Sequence, residues 1–298
     1  MRLSYNEACA MKCSTLEKDL ELCEKAGFDY IEIRLDMLSV YLRNHTFQDL
    51  KDYFATHRLK PAAINALYPY EELFSDADSP EKAQAFLDRF YMAVNAASEI
   101  GSNMVIVVAP FTPDGKPYTK DENTAVSNCV RILKQLGRLA GEKGVSLALE
   151  PVGLPKSSVR TVDRAIKILD EVALDNVGCA VDCYNIYLYH KRNDFNDLRQ
   201  LRIERIFAVH INNGENVPEE QMGQDKRCFA DKGDVDVDTY LKVLWSMGYR
   251  GMVSIEVFRP EYWEKSPEWV IQEAFRTTAN AMWMAGCLKQ IPMAEYYD

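Results

Sequence analysis

Ser146-Leu147-Ala148-Leu149-Glu150 is a short apolar run that ends on a carboxylate, and Gly178-Cys179-Ala180-Val181-Asp182 repeats the pattern one helical segment later. Runs this short, with almost no polar interruption, read as strands buried on both faces, which is how the strands of a parallel sheet lie. Working outward, the same unit recurs to both ends of the chain. Leu3–Glu7, Tyr30–Arg34, Pro61–Leu67 and Met104–Val108 come before, and Ile206–Ile211 and Met252–Val257 come after. The segments between them carry helix signals. Val126, Val130, Leu133, Leu136 and Ala140 recur at helical spacing ahead of Gly141 and Gly144,. Ser79-Pro80-Glu81 and Ser266-Pro267-Glu268 each set a capping hydroxyl before a proline at the first helical position,. Gly27 and Gly248 each stand shortly before a strand segment.

Strand-then-helix units repeated eight times in 298 residues predict an α/β protein, a single (β/α)8 barrel with residues 1–298 as one domain,. A doubly wound open sheet would carry a glycine-rich first turn, and none is present. The turn-rich loop 109–120 follows the fourth strand segment and is expected on the functional rim.

Charge and composition exclude several classes. A net charge of −10 with dispersed lysines and arginines repels phosphate backbones, so nucleic acid is not an expected partner,. No apolar run approaches the ~18 residues that a membrane span needs. The start of the chain lacks the apolar core of a secretory signal, and the eight cysteines form no Cys-x-x-Cys pair, so reduced thiols and a cytoplasmic location are expected,. Homo-oligomerisation stays open.

The chemistry is concentrated at the strand ends. Glu150, Asp182, His210 and Glu256 each close one of the last four strand segments. The C-terminal ends of barrel strands share one face, so neighbouring strands five to eight would bring these side chains together. Taken singly, such a carboxylate is commonly a helix cap and such a histidine a structural hydrogen-bonding residue. Four consecutive units with the polar residue in the same place point instead to one divalent ion, Mn²⁺, Mg²⁺, Co²⁺ or Zn²⁺. Mixed N/O ligation without cysteine suits an open site that acts as a Lewis acid, not a closed structural zinc.

The sequence resembles the xylose-isomerase-like TIM-barrel superfamily of sugar isomerases and epimerases, and within it the inosose (2-keto-myo-inositol) isomerases. The resemblance runs over nearly the whole chain. It rests on Tyr-Asn-Glu-Ala at 5–8, Leu-Glu-Leu-Cys-Glu-Lys at 20–25, Asp-Tyr-Ile-Glu-Ile-Arg at 29–34 and Ile-Asn-Ala-Leu at 64–67. Ala-Leu-Glu-Pro-Val-Gly at 148–153 and Ser-Ile-Glu-Val-Phe-Arg-Pro-Glu-Tyr at 254–262 add to it. It implies metal ligation by Glu150, Asp182, His210 and Glu256, with Glu150 and Glu256 also serving as acid/base partners. It implies that Arg227, ahead of Gly233-Asp234-Val235-Asp236, contacts substrate. Three places depart from the family's pattern. Cys228-Phe229-Ala230-Asp231 stands for a Trp-Pro-Gly segment, Asn185 for a histidine three residues after the metal aspartate, and Leu154 for a histidine after Val-Gly, followed by Pro155 and Lys156. Asn185 and Lys156 thus join Arg227 as candidate substrate-binding residues.

The expected activity is isomerisation of a keto-cyclitol or keto sugar through an enediolate, in carbohydrate or inositol catabolism. Ketose 3-epimerisation and β-elimination from a keto sugar, including cleavage of oxidised glycosides, use the same first step and stay as alternatives. A non-catalytic sugar-binding barrel is the third class. Glu32 and Arg34, alternating on the second strand segment, are expected to pair inside the barrel. His45, His57 and His190 are expected at the surface, and Tyr184, Tyr187 and Tyr189 in packing or in the pocket wall.

Overall fold

The computed structural model describes residues 1–289; the remaining nine positions of the expected domain lie outside the described residues. Eight parallel strands close into a barrel: β1 (Arg2–Asn6), β2 (Tyr30–Arg34), β3 (Lys60–Leu67), β4 (Met104–Val108), β5 (Ser146–Glu150), β6 (Val177–Asp182), β7 (Ile206–Ile211) and β10 (Met252–Ile255). The short strands β8 (Asn213–Gly214) and β9 (Arg227–Cys228) form a separate antiparallel ladder on the rim. Each strand falls within a residue or two of its sequence-based bounds. Closure is made by β1 against β10, with Leu3 opposite Val253 and Tyr5 opposite Ile255.

The helices α1 (Leu16–Ala26), α2 (Leu35–Tyr41), α3 (Phe47–Thr56), α4 (Pro80–Ile100), α5 (Glu122–Gly141), α6 (Val162–Val172), α7 (Cys183–His190), α8 (Val237–Ser246), α9 (Pro260–Trp263) and α10 (Pro267–Met284) surround the barrel. Their boundaries follow local chemistry. The hydroxyl of Ser79 accepts from Lys82 N ahead of α4, and that of Ser266 accepts from Trp269 N ahead of α10,. Helix α1 ends on Gly27 at φ 105°, a left-handed conformation that a side chain would strain,. Strands β4 to β6 are apolar because both faces are covered: Val105, Ile106 and Val107 are all fully buried,.

Two rim features position the site. Helix α7 starts immediately after β6, with Asp182 as its N-cap accepting from Asn185 N at 2.8 Å. The β8–β9 ladder pairs Gly214 with Arg227 and so fixes the arginine against the barrel mouth. Loop 109–121 is clasped to the loop after β3 by Glu71, which accepts from Tyr118 Oη at 2.6 Å and from Lys120 Nζ at 2.7 Å. All eight cysteines are free thiols.

Candidate metal centre

Glu150, Asp182, His210 and Glu256 converge at the C-terminal mouth of the barrel. Each offers one ligand atom, and these atoms lie within 4.8 Å of one another, all from buried residues. Convergence follows from register: Asp182 stands opposite His210 between β6 and β7, and Ser254 stands opposite His210 between β10 and β7, two residues before Glu256.

His210 is the best-defined of the four. Its Nε2 lies 3.2 Å from both carboxylate oxygens of Glu32. Its Nδ1 has no hydrogen-bond partner, although it is buried, and faces Glu150 Oε1 and Glu256 Oε2 at 3.5 Å each. An orphaned buried nitrogen between two carboxylates is what a ligand without its ion looks like. Three adjoining buried carboxylates likewise require positive charge nearby. The donor set therefore fits a divalent cation.

The electrostatics agree. Burial disfavours imidazolium at His210, but the charges of Glu32, Glu256 and Glu150 outweigh it and hold the pKa well above the usual histidine range. Burial, reinforced by repulsion from Glu256, pushes Glu150 up to about 7. Burial would raise Glu256 as well, but His210 and Arg227 outweigh it and bring its pKa below the usual glutamate value.

Hydrogen bonds separate the two glutamates further. Glu256 Oε1 accepts from Asn6 Nδ2 and Asn65 Nδ2, both at 3.1 Å, and Oε2 accepts from Arg227 Nη1 at 2.6 Å. Glu150 accepts from Asn185 Nδ2 at 3.1 Å. Asp182 serves twice: Oδ1 caps α7, while Oδ2 accepts from Asn212 Nδ2 at 2.7 Å and lies 3.1 Å from Arg227 Nη1.

Two of the three candidate substrate residues lie at the cluster. Arg227 is fully buried, bridges Asp182 and Glu256, and leaves its Nε as a buried donor without a partner. Asn185 touches Glu150 with its side chain and Asp182 with its backbone, and its Oδ1 accepts from Gln224 Nε2 at 3.4 Å. Lys156 stands off, with its ammonium 4.7 Å from the centre of the Phe111 ring. Phe258 completes the mouth between the guanidinium groups of Arg227 and Arg34, at 5.4 and 5.8 Å from its ring centre.

The expected Glu32–Arg34 pair does not form. Glu32 lies fully buried inside the barrel and bonds His210, Asn6 and Asn65, whereas Arg34 makes a two-point contact with Asp36 at 2.9 Å. The strand end delivers Arg34 to the rim, where the local aspartate is nearer than the barrel axis. Asn6, Glu32, Asn65 and Gln224 were missed as site residues. Their signal was present for the first three, which close or nearly close β1 to β3 with a polar side chain. His45 and His57 are exposed, as expected, stacked on Tyr41 and Tyr53. His190, expected at the surface, instead ends α7 partly buried and pairs with Asp197 at 3.0 Å, because the helix continues to it and turns it onto that carboxylate. Tyr184 and Tyr187 are packed, and Tyr189 is exposed.

A closed (β/α)8 barrel with this ligand set at its mouth belongs to a known class: the family model described as xylose isomerase-like TIM barrel matches residues 20–274, and the chain is a member of that family. Among its relatives is the inosose isomerase of Bacillus velezensis, 36% identical over 280 residues that cover 93% of this chain and 96% of that one. A ketose 3-epimerase of Arthrobacter globiformis is 26% identical over 78% of this chain and 74% of its own length. The crystal structure of the IOLI protein with a bound zinc atom superimposes with a TM-score of 0.86 at 33% identity, covering 97% of this chain and all of that one.

Proposed function

We propose that this protein isomerises a keto-cyclitol of the inosose type, or a closely similar keto sugar, by moving a proton between adjacent carbons. The observation that carries the reading is the buried Glu150–Asp182–His210–Glu256 cluster with His210 Nδ1 left open inside it. The identity to inosose isomerases along almost the full chain supports the substrate class.

A divalent cation in this cluster would supply Lewis acidity toward the oxygens of an α-hydroxyketone, which stabilises charge on the enediolate formed by deprotonation. Glu150, Asp182, His210 and Glu256 would hold it. Zinc and manganese both suit the donor set; we favour manganese as the working ion because carboxylate oxygens outnumber the single nitrogen. Glu150 and Glu256 do the proton work from two sides: one carboxylate takes the proton from carbon and the other returns one to the neighbouring carbon. Arg227 orients the substrate through its unpaired Nε–H, and Asn185 holds Glu150 in place while facing the same space. Lys156, held over the Phe111 ring, would serve the substrate only at hydroxyls away from the reacting carbons. The net charge of −10 suits an uncharged polyol better than an acidic substrate, and a role in cytoplasmic inositol catabolism would follow from the inosose substrate class,. Among the described residues no helix is long and apolar enough to cross a membrane.

Turnover of 2-keto-myo-inositol in D₂O tests the reading. Deuterium should enter the carbon-bound positions of product and recovered substrate, because a carboxylate base exchanges its proton with water during the enediolate's lifetime. Turnover with neither product nor substrate labelled would overturn proton transfer in favour of direct hydrogen migration. An inosose epimerised beside its carbonyl or a dehydrated product, in place of an inosose with its carbonyl moved, would assign the neighbouring reaction on the same cluster.

A further inference from the structure

Strands β1, β2 and β3 supply no member of the four-residue cluster, yet each carries a buried polar residue that reaches it: Asn6, Glu32 and Asn65. Glu32 is the centre of that group. His210 Nε2 lies 3.2 Å from both of its oxygens, and its Oε2 also accepts from Asn6 Nδ2 at 2.8 Å and Asn65 Nδ2 at 3.2 Å. The same two amide nitrogens donate to Glu256 Oε1. Each NH₂ group therefore spends one hydrogen on Glu32 and one on Glu256, tying the two carboxylates together.

A buried carboxylate in a barrel core is costly, and an apolar side chain would fill that layer without desolvation. The contacts show what the charge does. A carboxylate facing Nε2 holds the proton there, which leaves Nδ1 as the only imidazole atom able to bind a cation, and Nδ1 is the atom turned toward Glu150 and Glu256,. Fixing Glu256 Oε1 with two amides leaves Oε2 as its inward-facing oxygen.

We propose that Glu32 is the positioning residue of the metal centre: it selects the nitrogen of His210 that meets the ion and, through Asn6 and Asn65, sets the orientation of Glu256. The half of the barrel without ligands thus acts as the frame for the half that has them. The inference rests on the reading of the cluster as a metal site.

The test is zinc binding by the full chain, measured by competition with a chromogenic chelator, alongside thermal melting of the zinc-free protein. Glu32→Gln keeps the shape of the side chain but removes the charge and turns an NH₂ group toward other donors. Its zinc dissociation constant should rise roughly 10–100-fold while the zinc-free melting temperature stays close to the parent's. Unchanged affinity in the folded variant would overturn the proposal, and so would a lowered melting temperature with unchanged affinity, since that is what a merely structural role gives. A parent protein that binds no zinc would sink the metal reading itself. Should Glu32→Gln fail to fold, ring-¹⁵N NMR of the zinc-loaded parent decides. One of its four histidines should show a protonated Nε2 with Nδ1 on the metal, and the reverse pattern at His210 would overturn the assignment.

Discussion

Glu150 and Glu256 are the same residue at the same strand position, and their surroundings make them different groups. Glu256 is held by two amides and a guanidinium, whereas burial and the neighbouring carboxylate raise Glu150 to about 7. Either substitution, Glu150→Gln or Glu256→Gln, leaves an oxygen able to bind a cation weakly but removes a base. Steady-state rates on the keto-cyclitol should fall by on the order of 10²–10⁴ in each case, and full activity in either would remove that residue from the proton path. Arg227 makes a separate prediction. Because its Nη1 bridges Asp182 and Glu256, Arg227→Ala removes both the proposed substrate donor and the counter-charge between two buried carboxylates. It should lower kcat/KM by at least tenfold, as a charge-assisted hydrogen bond is worth roughly 1.5–3 kcal/mol. Unchanged kinetics would show that neither contact matters to the reaction.

At the scale of elements, helix α7 carries Asn185 to the ligand cluster and is seated by a close approach to the loop after β5. A Cβ on Gly153 would lie 2.1 Å from the Asn185 carbonyl oxygen and 3.0 Å from Leu188 Cβ. Backbone cannot yield as a flexible side chain can, so the whole helix would have to move. Gly153→Ala should cost about 1–3 kcal/mol in urea unfolding. It should also reduce activity, because Asn185 and the Asp182 cap move with the helix. A variant with parental stability and activity would mean that α7 accommodates the shift without disturbing the site.

The whole molecule responds to its ion and to pH through different groups. A cation that binds only the folded chain stabilises it by about 2.7 kcal/mol at a hundred times its Kd, so chelation should lower Tm by several degrees and zinc or manganese should restore it. A Tm indifferent to both would count against a resident metal. The pH dependence has a source away from the cluster. Asp19 is fully buried in α1, both of its carboxylate oxygens lack a hydrogen-bond partner, and burial pushes its pKa up to about 7. Glu7, also fully buried, is raised by burial and by Asp19. A carboxyl whose folded pKa lies above its unfolded value of about 3.9 stabilises the fold at low pH, and that contribution is lost as pH rises toward 7. Asp19→Asn removes the titration, so its stability relative to the parent should increase between roughly pH 4 and pH 7. A stability difference that stays flat across that window would mean that Asp19 titrates normally.

The amino-acid sequence by itself determined the architecture and the four polar residues that gather at its mouth. Eight apolar runs have a length that suits strands covered on both faces, and the polar residue closing each of the last four has only one surface to occupy once the strands are parallel. Glu150, Asp182, His210 and Glu256 were legible for that reason, since strand direction and alternation are local properties. What only the tertiary structure decided is which polar groups meet across the barrel. Glu32 reaches His210 and not Arg34, two residues away on its own strand, because closure of the barrel brings the inward-facing side chains of β2 and β7, three strands apart round the sheet, together in its interior. Asn6, on the strand between β2 and β10, and Asn65, on the strand on the other side of β2, bridge Glu32 to Glu256 once the sheet closes. Arg227 reaches the ligands only because a two-residue ladder on the rim folds it inward. These partners are separated by as many as 250 positions in the chain, and no local pattern encodes a contact that depends on closure of the whole sheet.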